Sequence, residues 1–221
     1  MKAVIFDFNG TLFRDSEFHN TAWTSFAARH GKSLKPEDLD KHIHGFTNKE
    51  IIEYFFERSL SFEEAQPYYE EKEDIYREIC RNNPSACKLA PGAEEFLDFL
   101  KRRNIPRTIA TASYKRNVNF YFELFPLEKW FSAENIILDI GSYRGKPFPD
   151  MFLAAAEVLQ TAIHQCMIIE DSVGGLNAAR NAGAGKIVAI SEEGNSEKFG
   201  LLSFIDQHIN NFEQIDKTWF A

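Results

Sequence analysis

The pentapeptide Asp7-Phe8-Asn9-Gly10-Thr11 follows directly on the apolar run Ala3-Val4-Ile5-Phe6. Four strand-forming residues that end in a carboxylate, an amide, a glycine and a threonine read as a buried parallel strand. Such a strand delivers polar groups to its C-terminal end, where open α/β sheets bind ligands. A carboxylate there can serve as metal ligand, general base or covalent nucleophile. It can also merely cap the turn after a strand.

Later apolar segments end in a similar way. Ile109-Ala110 runs into Thr111-Ala112-Ser113, the stretch after Ile136-Ile137-Leu138 reaches Lys146-Pro147, and Met167-Ile168-Ile169 runs into Glu170-Asp171. In a parallel sheet these ends share one edge, so a crevice could collect carboxylates, hydroxyls and an ammonium. Asp7, Glu170 and Asp171 placed together would repel one another unless a cation sat among them, and their hard oxygen ligands point to Mg²⁺. Lys146, the Thr111 hydroxyl and backbone N–H groups could then hold an anionic oxygen cluster such as a phosphoryl group. Each feature has an ordinary alternative: Glu170-Asp171 as a helix N-terminus, Lys146 as a loop charge, Thr111 and Ser113 as N-caps.

The elements that must position these residues fall into two groups. Residues 15 to 82 read as helical throughout. Ser16 is a possible N-cap ahead of Phe18, Ala22, Trp23, Phe26, Ala27 and His30, with Gly31 as the stop. Pro36 opens a short acidic helix, and Thr47-x-x-Glu50 and Ser61-x-x-Glu64 have capping-box spacing, the second before a helix that ends at Asn82-Asn83-Pro84. From Pro91 the rhythm alternates between helix and strand, with strands at Arg107 to Thr111, Ile136 to Leu138, Cys166 to Ile169 and Lys186 to Ile190. An edge strand is expected within Phe204 to Ile209. The expected architecture is a three-layer, Rossmann-like α/β core of residues 1–14 and 83–221 with a parallel sheet, and an inserted all-α domain of residues 15–82.

The 221 residues, 44% of them hydrophobic and 21 of them Phe, suffice for a sizeable core. A net charge of −8 argues against nucleic acid as a partner, since counterion release needs a basic surface. No apolar run approaches the ~18 residues of a membrane span, and no leader pattern opens the chain. Cys80, Cys87 and Cys166 are too few for a disulfide framework and suit a reducing compartment. A monomeric cytoplasmic protein without membrane contact is expected.

In order and spacing the motifs resemble those of the haloacid dehalogenase superfamily of aspartate-nucleophile phosphatases, and within it the β-phosphoglucomutase-like group. The matching pieces are Asp7-Phe8-Asn9-Gly10-Thr11, Thr111-Ala112-Ser113, Lys146-Pro147-Phe148-Pro149-Asp150 and Glu170-Asp171-Ser172-Val173-Gly174-Gly175. The resemblance implies a Rossmann-like core with a helical cap inserted after the first strand. It implies that Asp7 attacks phosphorus to form an aspartyl-phosphate. Asp7, the backbone carbonyl of Asn9 and Asp171, with Glu170 close by, would hold Mg²⁺. Thr111 and Lys146 would bind phosphoryl oxygens, with Gly10, Thr11, Ala112 and Ser113 completing that set.

The chain departs from the family pattern at Asn9, where the family places a second Asp that protonates the leaving oxygen and then deprotonates water. An amide does neither near neutral pH. Loss of such a group costs about 10²–10⁴ in rate. The cap would set specificity through His19, Asn48, Lys49 and Lys72. Where a phosphoglucomutase has an Arg gripping the distal phosphate, this chain has Asn48 with Lys49 beside it. The expectation is a Mg²⁺-dependent phosphatase or phosphotransferase for a small phosphorylated, sugar-phosphate-like metabolite. A catalytically impaired phosphometabolite-binding relative is the alternative, a mutase comes third, and dehalogenase chemistry would not use the acidic cluster.

Overall fold

The computed structural model describes every residue except 36, 40–42, 44–47, 141 and 195, and for 48, 49, 62, 196 and 198 it describes the backbone alone. The helix expected from Pro36 and the capping box expected from Thr47 therefore rest on residues outside the described set. The chain divides into two compact units, Met1–Arg14 with Lys88–Ala221, and Asp15–Cys87. None of the described helices is long and apolar enough to cross a membrane.

The first unit is built on five parallel strands: β1 (Ala3–Phe6), β2 (Arg107–Ile109), β3 (Cys166–Glu170), β4 (Lys186–Ile190) and β5 (Gln207–Ile209), in the order β2-β1-β3-β4-β5. β1 lies between β2 and β3, with Phe6 level with Ile109 on one side and Ile169 on the other. The chain leaves β1 toward one edge and returns on its other side, so the order reverses beside β1, where a doubly wound sheet opens a crevice. β1 and β3 are buried along their whole length, which is why they read as unbroken apolar runs.

Helices α4 (Ala93–Arg102), α5 (Lys115–Leu124), α6 (Asp150–Val158) and α7 (Val173–Ala182) flank the sheet. Alternate residues of β1 serve opposite faces. Ala3 and Ile5 join Phe152, Ala155, Leu176 and Ala179 in one core layer, whereas Phe6 meets Phe96, Phe131 and Phe212 in an aromatic layer on the other face.

The expected strand at Ile136–Leu138 is a single bridge, Ala110 with Ile137. Ile137 exchanges hydrogen bonds with Ile109 and Thr111, but the Asp139 N–H turns away to the Ser113 carbonyl, which ends the pairing. The edge strand expected from Phe204 begins only at Gln207, after Asp206 has turned its carboxylate to Lys186 and the Ile187 N–H.

The second unit contains α1 (Ser16–Arg29), α2 (Asn48–Phe56) and α3 (Phe62–Asn82). Trp23, Phe26 and Phe55 pack ring against ring at its centre. The capping box at the start of α3 is complete: Ser61 Oγ accepts from the Glu64 N–H and Glu64 Oε2 accepts from the Ser61 N–H. Ser16 is not the N-cap of α1. Asp15 holds that position without capping through its side chain, because its carboxylate accepts instead from the Tyr76 hydroxyl at 2.6 Å.

Candidate active site

β1 delivers Asp7 to the C-terminal edge of the sheet, where its N–H donates to the Ile169 carbonyl of β3 at 3.0 Å. The chain then folds back tightly. The Phe13 and Thr11 N–H groups donate to the Phe8 carbonyl, and Gly10, at φ +78°, donates to the Phe13 carbonyl. A Cβ at Gly10 would collide with the Asp171 carboxylate, so glycine is required both by φ and by the close approach. The Thr11 hydroxyl donates to Asp171 Oδ1 at 3.3 Å.

β3 ends in Glu170 and Asp171. Glu170 Oε1 accepts from the Asp171 N–H, the Ser172 N–H and the Ser172 hydroxyl at 2.9 to 3.1 Å. Ser172 also caps α7, its oxygen accepting from the Gly175 N–H. A Cβ at Gly175 would collide with the Glu170 carboxylate, so this residue lets the helix start lie against the acid.

Lys146, next to the cis Lys146–Pro147 peptide, reaches in from the loop before α6. Its ammonium donates to Asp7 Oδ1 at 2.7 Å and to Glu170 Oε2 at 2.5 Å. Burial pulls the ammonium toward losing its proton, but the Asp7 and Glu170 carboxylates more than offset this and hold its pKa above the ordinary lysine range. Burial likewise pushes the Glu170 carboxyl up, and Lys146 together with Ser172 brings it below the ordinary carboxylate value. Lys146 and Glu170 are thus each held in the charged form by the pairing.

Oxygens of Asp7, Glu170 and Asp171 lie within 4.8 Å of one another. Among the described residues these three carboxylates outnumber the Lys146 ammonium that pairs with two of them, and a divalent cation with a preference for hard oxygen ligands matches the donors. The residues present fit Mg²⁺.

On the β2 side, the Thr111 hydroxyl accepts from the Ser113 N–H at 3.1 Å and donates to Asn9 Oδ1 at 3.4 Å. Ser113 Oγ donates to the same Asn9 oxygen at 2.9 Å, and Asn9 Nδ2 donates to the Tyr121 hydroxyl at 2.8 Å. Ala112 is exposed between the two hydroxyl residues.

Of the residues singled out from the sequence, Asp7, Asn9, Gly10, Thr11, Thr111, Ala112, Ser113, Lys146, Glu170 and Asp171 lie in the first unit, linked largely by these bonds. His19 and Lys72 come together in the second unit. There the buried Lys72 ammonium donates to Glu73 Oε1 at 2.6 Å and to His19 Nδ1 at 3.0 Å, and His19 Nε2 lies 3.3 Å from Asp15 Oδ2. Asn48 and Lys49 open α2, and their side chains lie outside the described residues. Three further first-unit residues serve the site: Ser172 and Gly175, which the sequence shows only as members of the fourth motif, and Tyr121. A Ser ahead of a helical run signals the first; Tyr121 carries no signal, since its spacing is that of a core residue.

A family model for haloacid dehalogenase-like hydrolases matches residues 1–183. A phosphorylated carbohydrates phosphatase of Thermotoga maritima is 28% identical over 203 residues, covering 90% of this chain and 89% of that protein. Hexitol phosphatase A of Escherichia coli is 26% identical over 98% of this chain and 94% of its own. The crystal structure of a HAD hydrolase, family IA, variant 3, from Entamoeba histolytica superposes with a TM-score of 0.93 at 35% identity, covering 99% of this chain and 97% of that one.

Proposed function

The chain belongs to the haloacid dehalogenase-like hydrolases, and we propose that within that family it is a Mg²⁺-dependent phosphatase or phosphotransferase acting on a small phosphorylated, sugar-phosphate-like metabolite through Asp7. The observation that carries this reading is the ion-paired Asp7–Lys146–Glu170 group with Asp171 beside it. Phosphatases of phosphorylated carbohydrates and hexitols among the relatives support the substrate class.

In the first step a carboxylate oxygen of Asp7 attacks phosphorus, the bond from phosphorus to the ester oxygen breaks, and the leaving oxygen takes up a proton from solvent water. In the second, water attacks phosphorus, the acyl–phosphate bond breaks, the Asp7 carboxylate returns, and the attacking water gives its proton to solvent. Lys146 pairs with Asp7 and would face the phosphoryl oxygens. The Thr111 hydroxyl, whose bond to Asn9 is long at 3.4 Å, and the backbone N–H of Ala112 complete the anion-binding set. Asp7, the Asn9 carbonyl, Glu170 and Asp171 would hold Mg²⁺, which supplies the positive charge that lets a phosphate dianion approach a carboxylate.

Asn9 transfers no proton in either step. A catalytically slowed, phosphometabolite-binding protein is the second reading, favoured by the three hydroxyls gathered around the Asn9 side chain. Phosphate release by the native protein and by Asn9→Asp, with Mg²⁺ and with EDTA, on hexose phosphates, acetyl phosphate and an aryl phosphate tests both. The enzyme reading expects Mg²⁺-dependent turnover by the native protein, with Asn9→Asp faster by about 10²-fold or more on alkyl phosphates. Inert native protein alongside active Asn9→Asp selects the second reading, and inactivity of both refutes the assignment of Asp7.

A further inference from the structure

Asn9 stands where a proton carrier would be expected, and its surroundings suit an amide. Its Nδ2 donates to the Tyr121 hydroxyl at 2.8 Å, the Ser113 hydroxyl donates to its Oδ1 at 2.9 Å, and the two hydroxyls are 3.1 Å apart. A serine hydroxyl has one proton to give. That proton goes to Asn9, so the contact between the hydroxyls requires Tyr121 as donor and Ser113 as acceptor. Tyr121 in turn accepts from Asn9. The three side chains form a closed ring in which every bond runs the same way: amide N–H to Tyr121, Tyr121 O–H to Ser113, Ser113 O–H to the amide carbonyl. Bonds aligned head to tail polarise one another.

The ring is anchored from behind. Tyr121 is buried and stacks on Phe8, the residue between Asp7 and Asn9, with centroids 4.3 Å apart. Thr111 makes its longer donation to the same Asn9 oxygen while its own oxygen accepts from the Ser113 N–H. A carboxylate at position 9 has no N–H for Tyr121. Both hydroxyls would then turn toward it as donors and the bond between them would be lost.

We propose that Tyr121 is a positioning residue of the phosphoryl-transfer site, closing with Ser113 a one-way hydrogen-bond ring that locks the Asn9 carboxamide in place. The kinetic consequence rests on the reading of Asp7 as nucleophile; the ring is a property of the resting protein. Removing the Tyr121 hydroxyl frees the Asn9 carboxamide, two residues from Asp7, without touching Lys146. Tyr121→Phe therefore lowers kcat about five-fold at unchanged KM.

The decisive readout is the side-chain amide signal of Asn9 in protein labelled with ¹⁵N-asparagine, identified by its absence from Asn9→Asp. In the native protein its protons exchange with water more slowly than those of the exposed Asn119. In Tyr121→Phe, which keeps the stack on Phe8, exchange accelerates roughly ten-fold and the signal shifts. Ser113→Ala does the same, and Ser113→Thr, which keeps a hydroxyl, restores the native spectrum. Exchange in the native protein as fast as at Asn119, or exchange unchanged in Tyr121→Phe, overturns the proposal. None of these signals needs substrate, so a protein that shows the ring and releases no phosphate keeps this inference and loses only the assignment of turnover.

Discussion

Replacing Lys146 by Met removes the ammonium that bridges Asp7 and Glu170, carboxylates that are 5% and 1% exposed. Removing one partner of a buried pair costs about 3–5 kcal/mol, because the surviving charges stay out of water. For a chain of this size each kcal/mol moves Tm by about 2–4 °C, so Lys146→Met should unfold roughly 10 °C earlier than the native protein in EDTA. The sign reverses for Mg²⁺. Counted formally over the described residues, three carboxylates and the Lys146 ammonium carry two negative charges, and removing Lys146 makes the cluster one unit more negative. One unit charge about 5 Å from another is worth roughly 3 kcal/mol at an effective dielectric of about 20. Even discounted heavily, this predicts that Mg²⁺ binds Lys146→Met about ten-fold more tightly and restores most of the lost Tm. Phosphate turnover should nonetheless fall by about 10³-fold, since the cation facing the phosphoryl oxygens is gone. Thermal unfolding across a Mg²⁺ series, with calorimetric titration of Mg²⁺, measures both effects. Equal Tm values in EDTA, or Mg²⁺ affinity unchanged or weaker in the variant, would refute the electrostatic coupling of Lys146 to the carboxylate cluster.

Gly175→Ala drives a methyl group into the Glu170 carboxylate; it should cost about 1–3 kcal/mol in denaturant unfolding and lower turnover by at least roughly ten-fold as Glu170 is displaced from Lys146. Burial pushes the Cys166 thiol up to about 11, against about 8.5 in an unfolded chain. The folded state therefore keeps this proton while the unfolded state loses it, and the contribution to stability is complete below pH of about 8.5 and is lost as pH rises through the folded value. Urea unfolding should show an alkaline decline that Cys166→Ala reduces, and a decline of the same size in that variant would assign it to other groups.

Much of this arrangement is legible in the residues themselves, for physical reasons that differ from place to place. β1 and β3 are buried on both faces, so Val4-Ile5-Phe6 and Met167-Ile168-Ile169 must be apolar without interruption. The polar groups that follow them stand out for that reason. Ile136-Ile137-Leu138 has the same composition yet pairs only at Ile137, because the decision to leave the sheet is made by the Asp139 N–H and its partner on Ser113. Asp15 and Ser16 are equally able to cap a helix, and the choice between them follows from Tyr76 on another helix. Tyr121 escapes notice because its ring is a core element and only its hydroxyl belongs to the site. The need for glycine at 175 exists only once Glu170 lies against the start of α7.

Asp7 is the residue proposed to take up the phosphoryl group. The measurement that tests it most directly is mass analysis of the acid-quenched protein after exposure to acetyl phosphate with Mg²⁺, with peptide mapping of any adduct. One added phosphoryl group is expected on the peptide containing Asp7, labile to hydroxylamine, absent in EDTA and absent from Asp7→Asn. A phosphoryl group on another residue, or Mg²⁺-dependent phosphate release undiminished in Asp7→Asn, would contradict it.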